Sequence, residues 1–157
     1  MIGNDIVDLA LAKKESNWQR KGYLDKIFTP SEQLLISASE NPEIMVWNLW
    51  SRKEAVYKIY NRQTGIRAYI PLKIVCSKAD SEIGIVNCYG ETYFTKTKIT
   101  NQYVSTVAVL HKSDFDSILV LDNNTEIKKL DGIPFVAFND KIVFISHHGN
   151  FKQIVTL

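Results

Sequence analysis

The order of elements along this chain predicts an α+β fold, an antiparallel sheet with helices packed on one face. Three observations carry that expectation. Helix-start signals crowd the first 65 residues, short β-branched and aromatic runs fill the rest, and no stretch between them reads as a linker. At 157 residues the chain has the usual size of one domain, so 1–157 is read as a single unit around one core.

Ile2 to Val7 reads as a short strand ending at Asp8, whose carboxylate can cap a helix beginning near Leu9. Thr29-Pro30-Ser31-Glu32 supplies a capping hydroxyl, a proline at the first helical position and a glutamate at the third, which is a capping box. Asn41-Pro42-Glu43 repeats the sequence of cap, proline and acid. From there Ile44, Met45, Val46, Trp47, Leu49, Trp50, Val56, Tyr57, Ile59 and Tyr60 continue to a breaker region at Asn61–Gly65. Apolar residues cover most of this helix's circumference, so it is expected to be largely buried. Tyr69–Ser77, Glu82–Tyr89, Glu91–Lys98, Tyr103–His111 and Ser117–Leu121 read as strands, with a hairpin at Gly90-Glu91. Gly132-Ile133-Pro134 reads as a turn into a strand. Lys141–His147 and Phe151–Leu157 read as a last pair around a tight turn at His148-Gly149-Asn150.

Composition excludes more than it specifies. With 45% hydrophobic and 23% charged residues, the chain has the make-up of an ordinary soluble globular protein. A formal charge of +2 gives no broad field to attract nucleic acid or a membrane, and neither is expected as a partner. Cys76 and Cys88 lack CxxC spacing and a nearby histidine pair, which argues for buried free thiols in a reducing compartment. The N-terminus puts Asp5 where a signal peptide carries its basic region. No apolar run approaches the roughly 18 residues of a membrane span, so a cytoplasmic location is expected.

The chemistry concentrates in Trp50-Ser51-Arg52-Lys53-Glu54-Ala55-Val56-Tyr57-Lys58. Glu54 and Lys58 are one helical turn apart and emerge on the same face. A carboxylate beside an ammonium can hold a divalent metal and a phosphate together, and it can equally be an ordinary helix ion pair. Charge inside an otherwise apolar helix needs a partner, which favours a functional reading. Asp5 lies near the end of an apolar strand, where an acid is disfavoured, and reads as a turn or cap residue or as a metal ligand. Ser146 and His147 are neighbours on a strand and point to opposite faces, so they form no nucleophile–base dyad, but a strand end can offer both to a phosphate.

Gly3-Asn4-Asp5-Ile6-Val7-Asp8-Leu9, then Phe28-Thr29 with Glu32, then Trp50 with Lys53-Glu54-Ala55 and Lys58, then Gly132-Ile133-Pro134 before Ser146-His147, resemble in that order the 4′-phosphopantetheinyl transferases. The order is similar to that of the small holo-acyl-carrier-protein synthase branch. The resemblance covers 2–65 well and about 130–157 loosely. It implies a 4′-phosphopantetheinyl-transferase-like fold and transfer of phosphopantetheine from coenzyme A to a carrier-protein serine, with release of 3′,5′-ADP. Asp5 and Glu54 would ligate Mg2+, a hard cation suited to carboxylate, water and phosphate oxygens. Lys58 would stabilise phosphate charge and Glu54, or a water it orients, would take the serine proton. Lys53, Ser146 and His147 would hold other phosphates of coenzyme A, His147 its 3′-phosphate.

This chain departs from the pattern in four places. Asn4 replaces an apolar residue, and Val7 stands where the larger branch has a second carboxylate. Asn61–Gly65 keeps one glycine of a Gly-x-Gly turn. Tyr103–Val109 looks like a closing strand, yet a Ser-His strand still follows, as if an appended segment supplied it to its own site or to a neighbouring copy's. The basic cluster Lys13, Lys14, Arg20, Lys21 and Lys26, against only Glu15 and Asp25 and with Trp18 among them, reads as a solvated face or as a dock for an acidic carrier protein. A Mg2+-dependent phosphoryl hydrolase and a non-catalytic binder of coenzyme A or a carrier protein are the competing readings.

Overall fold

The computed structural model describes residues 1–79 and 83–157. Strand β1 (Ile2–Asp8) leads into helix α1 (Leu9–Glu15), and the short α2 (Tyr23–Ile27) and α3 (Pro30–Ala38) precede the long α4 (Pro42–Thr64). The local start signals act as expected. Asp8 accepts from the Leu11 amide, Thr29 and Glu32 close a capping box, and Asn41 accepts from the Ile44 amide ahead of Pro42. The expected breaker at Asn61–Gly65 is instead helical as far as Thr64. Gly65, with φ of +72°, ends the helix in the left-handed conformation that glycine adopts freely.

After α4 come β2 (Ile74–Lys78), β3 (Ile83–Cys88), β4 (Glu91–Ile99) and β5 (Tyr103–Val109). Pro71 opens a single 3-10 turn over Pro71–Lys73, so the expected strand from Tyr69 begins only at Ile74. The expected start of the next strand at Glu82 lies outside the described residues. Among the described residues, these strands and β1 form one antiparallel sheet in the order β1-β5-β4-β3-β2. Consecutive hairpins build β2 to β5, and β1 then pairs with β5, from Ile2 opposite Val109 to Asp8 opposite Tyr103. Helix α4 lies across one face of this sheet. Its Leu49, Val56 and Ile59 are fully buried with Val86, Tyr93, Val104 and Ala108. At Gly3 the approach is so close that a Cβ would run into the Ala55 carbonyl of α4.

The remainder forms a smaller β layer. Strands β6 (Leu119–Leu121), β9 (Phe144–His148) and β10 (Phe151–Thr156) make a sheet ordered β6-β10-β9, and β7 (Ile127–Leu130) and β8 (Ile133–Val136) a hairpin through Asp131-Gly132. Val136, Val143 and Ile154 form its own small core. This layer packs on β1, so all seven residues of that strand are buried although it lies at a sheet edge. Both cysteines are free and buried, and among the described residues no helix is long and apolar enough to cross a membrane.

Candidate functional site

The free edge of β1 is where the two layers meet. Ser146 and His148, two residues apart on β9, place acceptor atoms on the amides of Ile6 and Asp8, two apart on β1. Ile6 N donates to Ser146 Oγ at 3.1 Å and Asp8 N to His148 Nδ1 at 2.8 Å. Side chains thus satisfy edge amides that a further strand would otherwise pair. Because His148 Nδ1 accepts, the neutral ring carries its proton on Nε2, which faces Glu15 Oε2 at 3.3 Å. Asp8 closes the join from the other side: Oδ2 accepts from the Asn150 amide at 3.0 Å and Oδ1 from Leu11. Those backbone donors hold its carboxyl below the usual range, the Asn150 bond most strongly. Gly149 sits at φ +54° against this carboxylate, and a Cβ there would collide with it.

One turn of α4 faces this join. Lys58 Nζ donates to the Asn4 carbonyl at 2.7 Å, Asp5 Oδ1 at 3.1 Å and Ser146 Oγ at 3.3 Å, using its three protons. Ser146 in turn lies 3.4 Å from Asp5 Oδ1. Oδ1 of Asp5 is therefore crowded with donors, while Oδ2 is buried and has no partner. Burial raises the Asp5 carboxyl above its ordinary value, and Lys58 pulls it the other way. Glu54, one turn before Lys58, is pushed up to about 7, by burial first and then by the charge of Asp5, with Lys58 opposing. Asp5 and Glu54 line a cleft of about 290 Å³ with Trp47, Trp50, Tyr23 and His147.

Two nearby carboxylates, one with an orphaned buried oxygen, have one lysine beside them, and it bonds Asp5 alone of the two. That donor set is short of positive charge and suits a hard divalent cation. Among the described residues no three His, Cys, Asp or Glu side chains converge as a metal cage. Magnesium held by two carboxylates takes its other ligands from water and substrate phosphate.

The structure thus brings Asp5, Glu54, Lys58 and Ser146 together and puts His147, which is exposed, on the rim of the cleft. It takes Lys53 out. Lys53 is fully buried and donates to Glu32 Oε2 at 2.8 Å, the Ile27 carbonyl at 2.9 Å and the Pro71 carbonyl at 2.9 Å. Glu32 completes the junction by accepting from the Cys76 amide at 2.7 Å. The expected phosphate contact of Lys53 is corrected to a structural ion pair joining α3, α4 and β2. Adjacent helical residues point about 100° apart, and here Glu54 lines the cleft while Lys53 turns to Glu32. Ser146 is corrected in part: its hydroxyl is buried among protein groups rather than presented to solvent. The Asp8–His148 join went unforeseen, because the sequence marks Asp8 only as a cap and His148 only as a turn residue.

Comparison with known proteins finds relatives of this chain. A curated holo-[acyl-carrier-protein] synthase of Natranaerobius thermophilus is 29% identical over 90 residues, covering 57% of this chain and 70% of that protein. The crystal structure of Helicobacter pylori holo-[acyl-carrier-protein] synthase in complex with coenzyme A superposes with a TM-score of 0.56 at 22% identity, covering 71% of this chain and 100% of the other. The Thermotoga maritima holo-[acyl-carrier-protein] synthase structure gives 0.54 at 14% identity, with 82% and 76% covered. At these identities the structures speak to the fold. The sequence model of the 4′-phosphopantetheinyl transferase superfamily matches residues 1–109, which hold Asp5, Glu54 and Lys58 and leave out the β layer carrying Ser146 and His147. With well over half of its length matched, this chain belongs to the 4′-phosphopantetheinyl transferase superfamily.

Proposed function

We propose that this protein transfers the 4′-phosphopantetheine arm of coenzyme A to a serine hydroxyl of an acyl or peptidyl carrier protein, with Mg2+ held by Asp5 and Glu54. The observation that carries the reading is that Asp5 and Glu54 line one cleft, with Lys58 bonded to Asp5 Oδ1 and Asp5 Oδ2 buried and unpartnered. In the reaction the serine oxygen forms a bond to the phosphorus bearing the pantetheine arm, the bond from that phosphorus to the bridging oxygen breaks, and 3′,5′-ADP departs. The magnesium would neutralise pyrophosphate charge and help the leaving phosphate depart.

The chain's own groups do the rest. Glu54 takes the serine proton, directly or through a water. Lys58 spends its protons holding Asp5, Ser146 and the Asn4 carbonyl, and with a third of its side chain exposed it can swing one toward phosphate charge. His147 on the rim is placed to bind the 3′-phosphate of coenzyme A. Lys13, Lys14, Arg20, Lys21 and Lys26 are all exposed and form the docking face for an acidic carrier protein. The Ser146 element reaches Ile6 and Asp5 of its own chain. The reading places the protein in the cytoplasm, where coenzyme A and carrier proteins are substrates.

The test is incubation with coenzyme A, Mg2+ and a panel of apo carrier proteins, followed by intact-mass analysis. Gain of one phosphopantetheine on a carrier supports the proposal. Nucleotide breakdown without carrier modification indicates a hydrolase, and binding without either product indicates a non-catalytic family member.

A further inference from the structure

Trp50, Glu54 and Tyr57 occupy positions i, i+4 and i+7 of α4 and so form one stripe along its surface. Tyr69, on the segment between Gly65 and Pro71, lays its ring across that stripe. Its centroid is 5.9 Å from that of Trp50 and 4.9 Å from that of Tyr57, edge-on in both cases. A ring touching the residues on either side of Glu54 along one stripe lies over Glu54 itself. Its hydroxyl oxygen is buried and has no hydrogen-bond partner. A buried phenol without an acceptor is disfavoured, and the carboxylate beneath it is the charged acceptor close at hand. The two groups feel each other, since the nearby carboxylate raises the proton affinity of the phenol, after burial the largest influence on it.

We propose that Tyr69 is a positioning residue for Glu54, donating its Oη–H to one carboxylate oxygen so that the other is aimed at the cleft beside Asp5 Oδ2. The inference rests on the reading that Asp5 and Glu54 together hold a divalent cation. Tyr69 is absent from the cleft lining, so its action is through Glu54 and not on substrate. Metal-ligating carboxylates are oriented by such outer partners, whose removal weakens metal binding on the order of 10–100-fold. The aromatic clamp from Trp50 and Tyr57 fixes the phenol ring, so the donor arrives with few rotamers left to lose.

The experiment is Mn2+ binding to the full chain without coenzyme A, read from the electron paramagnetic resonance signal of free Mn2+, alongside thermal melting. Tyr69→Phe keeps the ring and removes the donor, and it should weaken Mn2+ binding about tenfold while leaving the melting temperature near that of the native chain. Tyr57→Phe removes a hydroxyl from the same aromatic cluster and should bind Mn2+ like the native chain. Unchanged Mn2+ affinity in Tyr69→Phe overturns the proposal, as does an equal loss in Tyr57→Phe, which would mean general loosening of the cluster. If Tyr69→Phe binds normally while Glu54→Gln does not, the metal reading stands and the role of Tyr69 fails. If the native chain binds no Mn2+, the metal reading fails and takes this inference with it.

Discussion

Ser146 Oγ lies 3.4 Å from Asp5 Oδ1 although 141 residues separate them, and the same hydroxyl accepts from the Ile6 amide. The relationship makes the C-terminal β layer part of the site: it satisfies the edge of β1 and turns Asp5 so that Oδ1 is consumed and Oδ2 is left bare. Ser146→Ala would strand the buried Ile6 amide and free the Asp5 rotamer. A loss of about 1–3 kcal/mol in urea unfolding is expected, with transfer activity falling at least about tenfold, the low end of what outer partners contribute. Unaltered stability and activity in Ser146→Ala would show that the β layer is an appendage.

Lys53 and Glu32 form a fully buried ion pair at 2.8 Å. Removing one partner leaves an uncompensated buried charge, so Lys53→Met should destabilise the chain by about 3–5 kcal/mol. Replacing both, with Glu32→Leu in the same chain, should recover part of that loss despite the broken capping box. Denaturant midpoints decide it. A folded Lys53→Met of native stability with weakened coenzyme A binding would restore the phosphate role that the geometry removes.

Burial and the charge of Asp5 push the Glu54 carboxyl of the metal-free folded chain from 4.5 up to about 7. Between those values the folded state holds a proton that the unfolded state has lost. Stability of the metal-free protein therefore falls as pH rises from about 4.5 to 7, by at most about 3 kcal/mol from this group. Asp5, also raised, acts in the same direction, while Asp8, held low, acts oppositely, its contribution being lost as pH falls. The difference between the native chain and Glu54→Gln isolates the effect. Melting temperatures of the two should converge toward pH 4.5 and separate toward 7, with the native chain the less stable. Mg2+ should narrow the gap near neutral pH, and parallel curves without metal would refute the assignment.

The exposed Lys13, Lys14 and Lys21 carry the docking proposal. Replacing all three by alanine should raise the KM for an acidic carrier several-fold at low salt, an effect that shrinks as ionic strength rises. The KM for coenzyme A should stay near its native value. A carrier KM indifferent to both substitution and salt would move the docking face elsewhere.

Local signals with short-range mechanisms were readable in the sequence, and long-range partners were not. The caps at Asp8, Thr29 and Asn41 act within three residues, so their helices could be placed from the chain alone. Helix α2 starts at Gly22 in the left-handed conformation with no side-chain cap, and β7 has one half-buried residue among four, so neither carries a periodic signature. The spacing of Glu54 and Lys58 put both on one face, and the ordered motifs added Asp5. Lys53 could not be sorted the same way, because its partner Glu32 stands 21 residues upstream. Nothing near Tyr69 in sequence marks it, since its surroundings come from Trp50 and Tyr57 on a different element.

The central claim is that the Asp5–Glu54 cleft performs transfer, and one comparison tests it most directly. An apo carrier protein modified by the native chain is incubated with coenzyme A, Mg2+ and either the native chain or Glu54→Ala, and its intact mass is followed. The account predicts gain of one phosphopantetheine with the native chain and none with a folded Glu54→Ala. Equal modification of the carrier by both would contradict it.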